Sequence, residues 1–253
     1  MHMKTASKTL ALFLSVICLL LMTGNPVSLR AQSSGGSDEN FAMSISLTSD
    51  QFFGFAPMAA GTYKLGKTLD LTFYGIFWSG GTGGGWGNWT EFGAGANFRA
   101  SDLIAINPQI GIVNGSLLSS GAKRNGVLGD GLVPNLTVNL QSPTLEGQIY
   151  AGYYLPLRNL APPGGTTLSY LHYWANFGFK VGKFFSLGGH YEHLINTGGS
   201  NVRKSEDVYQ WLGPYVQFIE KSGKTYLRFA GGSDFVKGNK TDSFFKMTVG
   251  YNF

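Results

Sequence analysis

The final run of the chain, residues 243–253, reads SFFKMTVGYNF and limits the possible folds more than any other stretch. Phe245, Met247, Val249, Tyr251 and Phe253 share one parity, while Lys246, Thr248, Gly250 and Asn252 share the other. A period of two gives an extended strand one apolar face and one polar or small face. The run also ends on an aromatic ring. A soluble sandwich would leave that ring in water, whereas lipid or an aromatic interface covers it on the outside of a transmembrane β-barrel.

Composition agrees. The chain is 14% aromatic and 13% charged, with 37 glycines, against about 25% charged in ordinary soluble domains. Past residue 22 no stretch approaches the ~18 uninterrupted apolar residues of a spanning helix, so any crossing must be made by strands.

Residues 1–31 read as a secretory signal. Lys4 and Lys8 precede an apolar core, TLALFLSVICLLLM, and Leu29-Arg30-Ala31 offers a small residue at the cut. Cys18, the only cysteine, lies in that core after Ile17 rather than after the small residue of a lipoprotein signal. The mature chain would then hold no disulfide or thiolate metal site. Cleavage also removes Lys4, Lys8 and Arg30 and no acid, so the formal charge of +5 shrinks and nucleic acid is not indicated as a partner. Residues 32–41, beginning QSSGGSDEN, form a flexible leader, and 42–253 form one barrel domain.

Strand patterning runs through that domain. In 68–78, Leu69, Leu71, Phe73 and Phe77 oppose Asp70, Thr72 and Tyr74. In 86–100, Phe92, Ala94, Ala96 and Phe98 oppose Trp89, Glu91, Asn97 and Arg99. In 103–113, Ile104, Ile106, Ile110 and Ile112 oppose Asn107 and Gln109, with Pro108 forced to break a ladder bond or sit at a bulge. Hairpins follow over 132–157, 168–196 and 208–236, about Ser142-Pro143, Gly182 and Ser222-Gly223-Lys224. A weak strand at 42–49 precedes Phe52, Phe53, Phe55 and Pro57, which suggest an outer loop or interface before a second strand to Leu65.

Connections near Gly66, Ser101, Ser142, Gly182 and Gly223 are short. Those at 79–85, 115–131, 158–165 and 197–207 are longer. Tight periplasmic turns alternating with longer outer loops are the pattern of outer-membrane barrels, whose strand number is even. The fold expected is all-β: a single antiparallel up-and-down transmembrane β-barrel of about twelve strands. Ten is the fallback if the Phe-rich region before Gly61 is not two strands.

Parity points Asp70, Glu91, Arg99, Glu146, His172, Lys180, His190, Glu192, Arg228, Asp234 and Lys246 into the lumen. Tyr74, Trp78, Trp89, Tyr150, Tyr154, Tyr170, Trp174 and Trp211 share that parity. So many rings in about twelve strands leave little bore, since wide aqueous channels come with about 16–18 strands.

Motif candidates are weak. Residues 61–68 match the phosphate-loop spacing, but a strand rather than a helix follows, so a hairpin turn is the better reading. Pairing about Gly182 would set His172 near Glu192 and Trp174 near His190, with His193 on the outer face. A metal there would lack a third inward ligand. Asp130 is one carboxylate, far from the set that calcium collects. Lys123-Arg124 and Arg203-Lys204 are basic pairs in predicted outer loops that could meet lipopolysaccharide phosphates, though such pairs are commonly just solvated. No cofactor is indicated.

Two resemblances add to this. Thr248, Gly250, Tyr251 and Phe253 resemble the C-terminal assembly signal of bacterial outer-membrane barrels, which implies outer-membrane lipid and the barrel assembly machinery as partners. The runs WGNWTEFG at 86–93 and GDGLVPN at 129–135 resemble a bacterial family of secreted proteins of unassigned function, which implies no active site to transfer.

The function expected is a narrow or occluded outer-membrane channel for small solutes, not an enzyme. A non-conducting structural or adhesive barrel, using 115–131 and 197–207 as contact loops, is the alternative. A second is a lipid hydrolase around His172 or His193, though the sequence sets no serine beside either.

Overall fold

The computed structural model describes residues 39–78, 89–115, 117–118, 128–158, 167–200, 204–238 and 242–253. Among these lie twelve strands. They are β1 (Phe41–Asp50), β2 (Gly54–Lys64), β3 (Leu69–Trp78), β4 (Trp89–Arg99), β5 (Ile104–Asn114) and β6 (Gly131–Gln141), then β7 (Leu145–Pro156), β8 (Ser169–Val181), β9 (Phe185–Gly198), β10 (Glu206–Ile219), β11 (Thr225–Asp234) and β12 (Ser243–Asn252). Each pairs antiparallel with its neighbours in sequence, and β12 closes on β1, with Ser44 opposite Asn252 and Asp50 opposite Lys246. Closure leaves no edge strand with unpaired backbone groups, the condition for a sheet to sit in hydrocarbon.

The expected signal, most of the expected leader, the glycine run at 80–85, and Lys123, Arg124 and Arg203 fall outside the described residues, while the last leader residue, Phe41, already belongs to β1. The Phe-rich region does form two strands, joined by a three-residue turn at 51–53.

The short connections gather at one rim, here called the turn end. Their chemistry is local. Ser101 Oγ accepts the N–H groups of Leu103 and Ile104, and Ser142 Oγ accepts those of Thr144 and Leu145. Gly182 (φ 73°) and Gly223 (φ 76°) take left-handed turn positions that a side chain would strain. The opposite rim, the loop end, carries the turn at 51–53 and the longer connections.

The barrel is inside out relative to a soluble protein. Phe73, Phe77, Phe92, Ile110, Ile149, Phe177 and Phe229 lie exposed on its exterior, while Asp70, Glu91, His172, His190 and Glu192 are buried inside. A contiguous apolar exterior of this kind is what a membrane covers. Pro108 takes the outward parity and has no partner on β4, where pairing skips from Gln109 to Ile106.

One pairing differs from expectation. Trp174 lies opposite Glu192 and Asn176 opposite His190, so the β8–β9 register is two residues from the one placed about Gly182. The turn closes between Val181 and Phe185 and is centred on Lys183 instead.

Candidate functional site

The lumen divides into an aromatic layer at the loop end and a cavity of mixed polar and apolar walls below it. The layer is built on Phe53, in the turn between β1 and β2. Asp50 Oδ1 accepts the N–H groups of Phe52 (2.9 Å) and Phe53 (2.6 Å), which folds the turn over the bore. Phe53 then packs on Trp78 (ring centroids 4.7 Å apart), and Trp78 on Trp89 (5.8 Å). On the other side Phe53 meets Tyr209 edge-on (6.2 Å), Tyr209 stacks on Trp211 (4.0 Å) and Trp211 on Phe244 (5.1 Å). This chain of rings runs from β4 to β12. Val113, Val133, Tyr154, Tyr170 and Leu194 fill in from the strands between, and Leu118 from the β5–β6 connection. A void of only about 20 Å³ remains among them.

Longer-range hydrogen bonds hold the layer. Asp130 is buried and accepts the N–H of Leu118 (2.7 Å), so it is a loop clamp rather than an ion site. Asp234 accepts the Gln210 and Val236 N–H groups and the Trp211 indole N–H. A bulge in β10 between Asp207 and Tyr209 turns the two side chains to opposite faces, which sends Tyr209 into the bore.

Under the layer sits Glu192, fully buried. His172 Nε2 (2.9 Å) and the Tyr209 hydroxyl (2.8 Å) donate to Oε1. His190 Nε2 (3.1 Å) and Lys246 Nζ (2.6 Å) donate to Oε2. Lys246 also lies 4.0 Å from Asp50, tying this cluster to the turn above. A buried carboxylate is tolerated only when paired and hydrogen-bonded, and four donors meet that condition. His172 thus does reach Glu192, diagonally across the register. The other expected lumen residues form separate groups. Glu91 is buried and accepts the hydroxyls of Tyr74 (2.6 Å) and Tyr154 (3.2 Å). Arg99 pairs with Asp70 (2.6 Å) at the turn end. Lys180 donates to the Ser142 carbonyl. Glu146 accepts Ser186 and Tyr215 hydroxyls and the Gln217 amide, and Gln217 in turn accepts Arg228 Nε (2.9 Å).

A cavity of about 400 Å³ occupies the lumen beneath the rings. It reaches Ser44 and Asn252 at the turn end, and its walls include Tyr150, Trp174, Asn176, Arg228 and Lys246. His193 is not part of it. It sits on the outer face between Tyr173 (2.8 Å) and Asp207 (2.9 Å), with a tyrosine hydroxyl where a hydrolase would need a serine. No group of histidine, cysteine and carboxylate side chains among the described residues could hold a metal.

Of the last-strand residues, Thr248 bonds Thr48 across the β12–β1 seam (3.2 Å). Gly250 lies under the Tyr226 ring, which leaves no room for a Cβ, while Tyr251 and Phe253 are exposed outside. Sequence reasoning missed Phe53, Asp50 and Tyr209. Tyr209 shares the parity of Trp211 and was within reach of that signal. An Asp just before a turn, accepting the N–H groups two and three residues on, is a known turn pattern, but the inward fold of Phe53 has no local signature.

A model of a family of unknown function, DUF6733, matches residues 3–253. Its description says nothing of secretion. Among solved structures the chain is similar to the NanC porin, with a TM-score of 0.51 and 8% identity, covering 83% of this chain and 98% of that one. It is also similar to the COG4313 outer membrane channel from Pseudomonas putida F1, with a TM-score of 0.51 and 12% identity, covering 91% and 100%. At these identities the likeness is one of barrel fold. No curated protein matches.

Proposed function

This chain belongs to DUF6733, a family of unknown function, and we propose that it is an outer-membrane channel for small solutes, closed at its loop end. One observation carries the reading: a cavity of about 400 Å³, walled by both polar and apolar side chains, runs to the turn end but stops beneath the Phe53 ring layer. A barrel that only anchors loops has no need of such a cavity in its lumen. The barrels it resembles in fold are described as a porin and a channel, which supports the same reading. The apolar exterior and the terminal Tyr251 and Phe253 support placement in an outer membrane.

Solute flux tests the proposal. In a liposome-swelling assay with monosaccharide-sized solutes, the wild-type barrel should raise the rate only slightly over empty liposomes. Replacing both rings of the turn, F52A/F53A, should raise it several-fold. Equal rates for the two proteins and for empty liposomes would overturn it.

A further inference from the structure

We propose that the lumen holds a binding site for a small hydroxylated carboxylate, with the Arg228 guanidinium as its anchor; this deepens the channel reading and rests on it. Arg228 and Lys246 are diagonal neighbours on the inner face, since Arg228 pairs with Thr248 and Lys246 with Ala230. Two cations so placed repel unless each finds an anion. Lys246 has one in Glu192. Arg228 has no carboxylate partner among the described residues. Only its Nε is engaged, by Gln217, and its Cζ lies 5.0 Å over the Tyr215 ring. Gln217 stands between Arg228 and Glu146, giving its amide to that carboxylate. The ring below and the bond at Nε hold the fork in place while both terminal nitrogens remain for a ligand.

The surroundings narrow the class. Arg228 lines the same cavity as Asn176 and Gln148, which offer donors and acceptors for hydroxyls. Tyr150 and Trp174, stacked with centroids 5.7 Å apart, supply a flat apolar wall there. A guanidinium fork matches a carboxylate in two parallel bonds, while amides and a ring face suit a polyhydroxylated ring. The cavity volume lies in the range of small-molecule sites.

Calorimetric titration of the folded barrel in detergent tests this, with D-glucuronate, D-glucose and inorganic phosphate as probes. Glucuronate should bind saturably, and glucose and phosphate at least tenfold more weakly. R228Q should lose at least tenfold in glucuronate affinity, and R228K, which keeps the charge without the fork, should fall between. A heat-modifiable gel shift confirms that each variant is folded, and should R228Q fail it, R228K alone decides by its weaker binding. No glucuronate binding, equal binding of glucose, tighter binding of phosphate, or unchanged affinity in the arginine variants would overturn the site. Because binding is read without flux, a barrel that conducts but ignores glucuronate refutes the site and leaves the channel standing. One that binds but does not conduct even as F52A/F53A refutes the channel.

Discussion

Lys246 on β12 and Glu192 on β9 meet across two intervening strands, with Nζ 2.6 Å from Oε2. The contact joins residues 54 apart in sequence and sits directly beneath the ring layer, where His172 and Tyr209 also bind the carboxylate. It makes the ring layer and the ion cluster one structure.

Removing Lys246 therefore strands a buried charge. K246M should destabilise the barrel by about 3–5 kcal/mol, the cost of leaving one partner of a buried pair. E192Q/K246M should cost less than K246M alone, because no uncompensated carboxylate remains. Urea unfolding in lipid vesicles, followed by tryptophan emission, measures both.

The turn at 51–53 hangs on Asp50, which takes two backbone N–H groups and has Lys246 nearby. D50A should cost about 1–3 kcal/mol through the unsatisfied donors. It should also loosen the ring layer while leaving the strands intact. Unfolding midpoints report the first effect, and a swelling rate between those of wild type and F52A/F53A reports the second.

Parity makes a separate prediction on the outer face. Ile110 is 61% exposed and mid-strand. I110R should destabilise by about 2–4 kcal/mol in a bilayer, where lipid surrounds that position. Its lumenal neighbour Gln109, bonded to Thr72, should tolerate alanine at about 1 kcal/mol. Near-equal effects in vesicle unfolding would contradict the assignment of faces.

Gly93 makes room for the Tyr74 ring, which a Cβ there would strike. Tyr74 donates to Glu91 and accepts from Asn135. G93A should push the ring off that carboxylate and cost about 1–3 kcal/mol by overpacking. Because the lost Tyr74–Glu91 bond is part of that cost, Y74F/G93A should cost less than the sum of its single variants.

The architecture was legible in the sequence because a barrel repeats one physical rule. Leu71 and Phe73 against Asp70 and Thr72, or Phe92 against Glu91, state which face meets lipid, and the spacing of Gly66, Ser101, Ser142, Gly182 and Gly223 separates the strands. Register was less legible. Taking Gly182 as the pivot rather than Lys183 moved the β8–β9 pairing by two residues, since a turn glycine marks a left-handed position and not the centre of the hairpin. The ring layer was legible in part: parity turned Trp78, Trp89, Tyr154, Tyr170 and Trp211 inward, but not the Phe53 that joins them. Phe53 folds inward because Asp50 holds its N–H and because Trp78, Tyr209 and His172, distant in sequence, present rings to it. No periodicity encodes a contact of that kind.

Single-channel recording in a planar bilayer tests the central claim most directly, comparing wild type, F52A/F53A and the outward-facing control F77A. The wild type and F77A should be silent or open only briefly, and F52A/F53A should show persistent conductance steps. Persistent steps of the same size in all three, or silence in F52A/F53A, would contradict a lumen closed by the Phe53 layer.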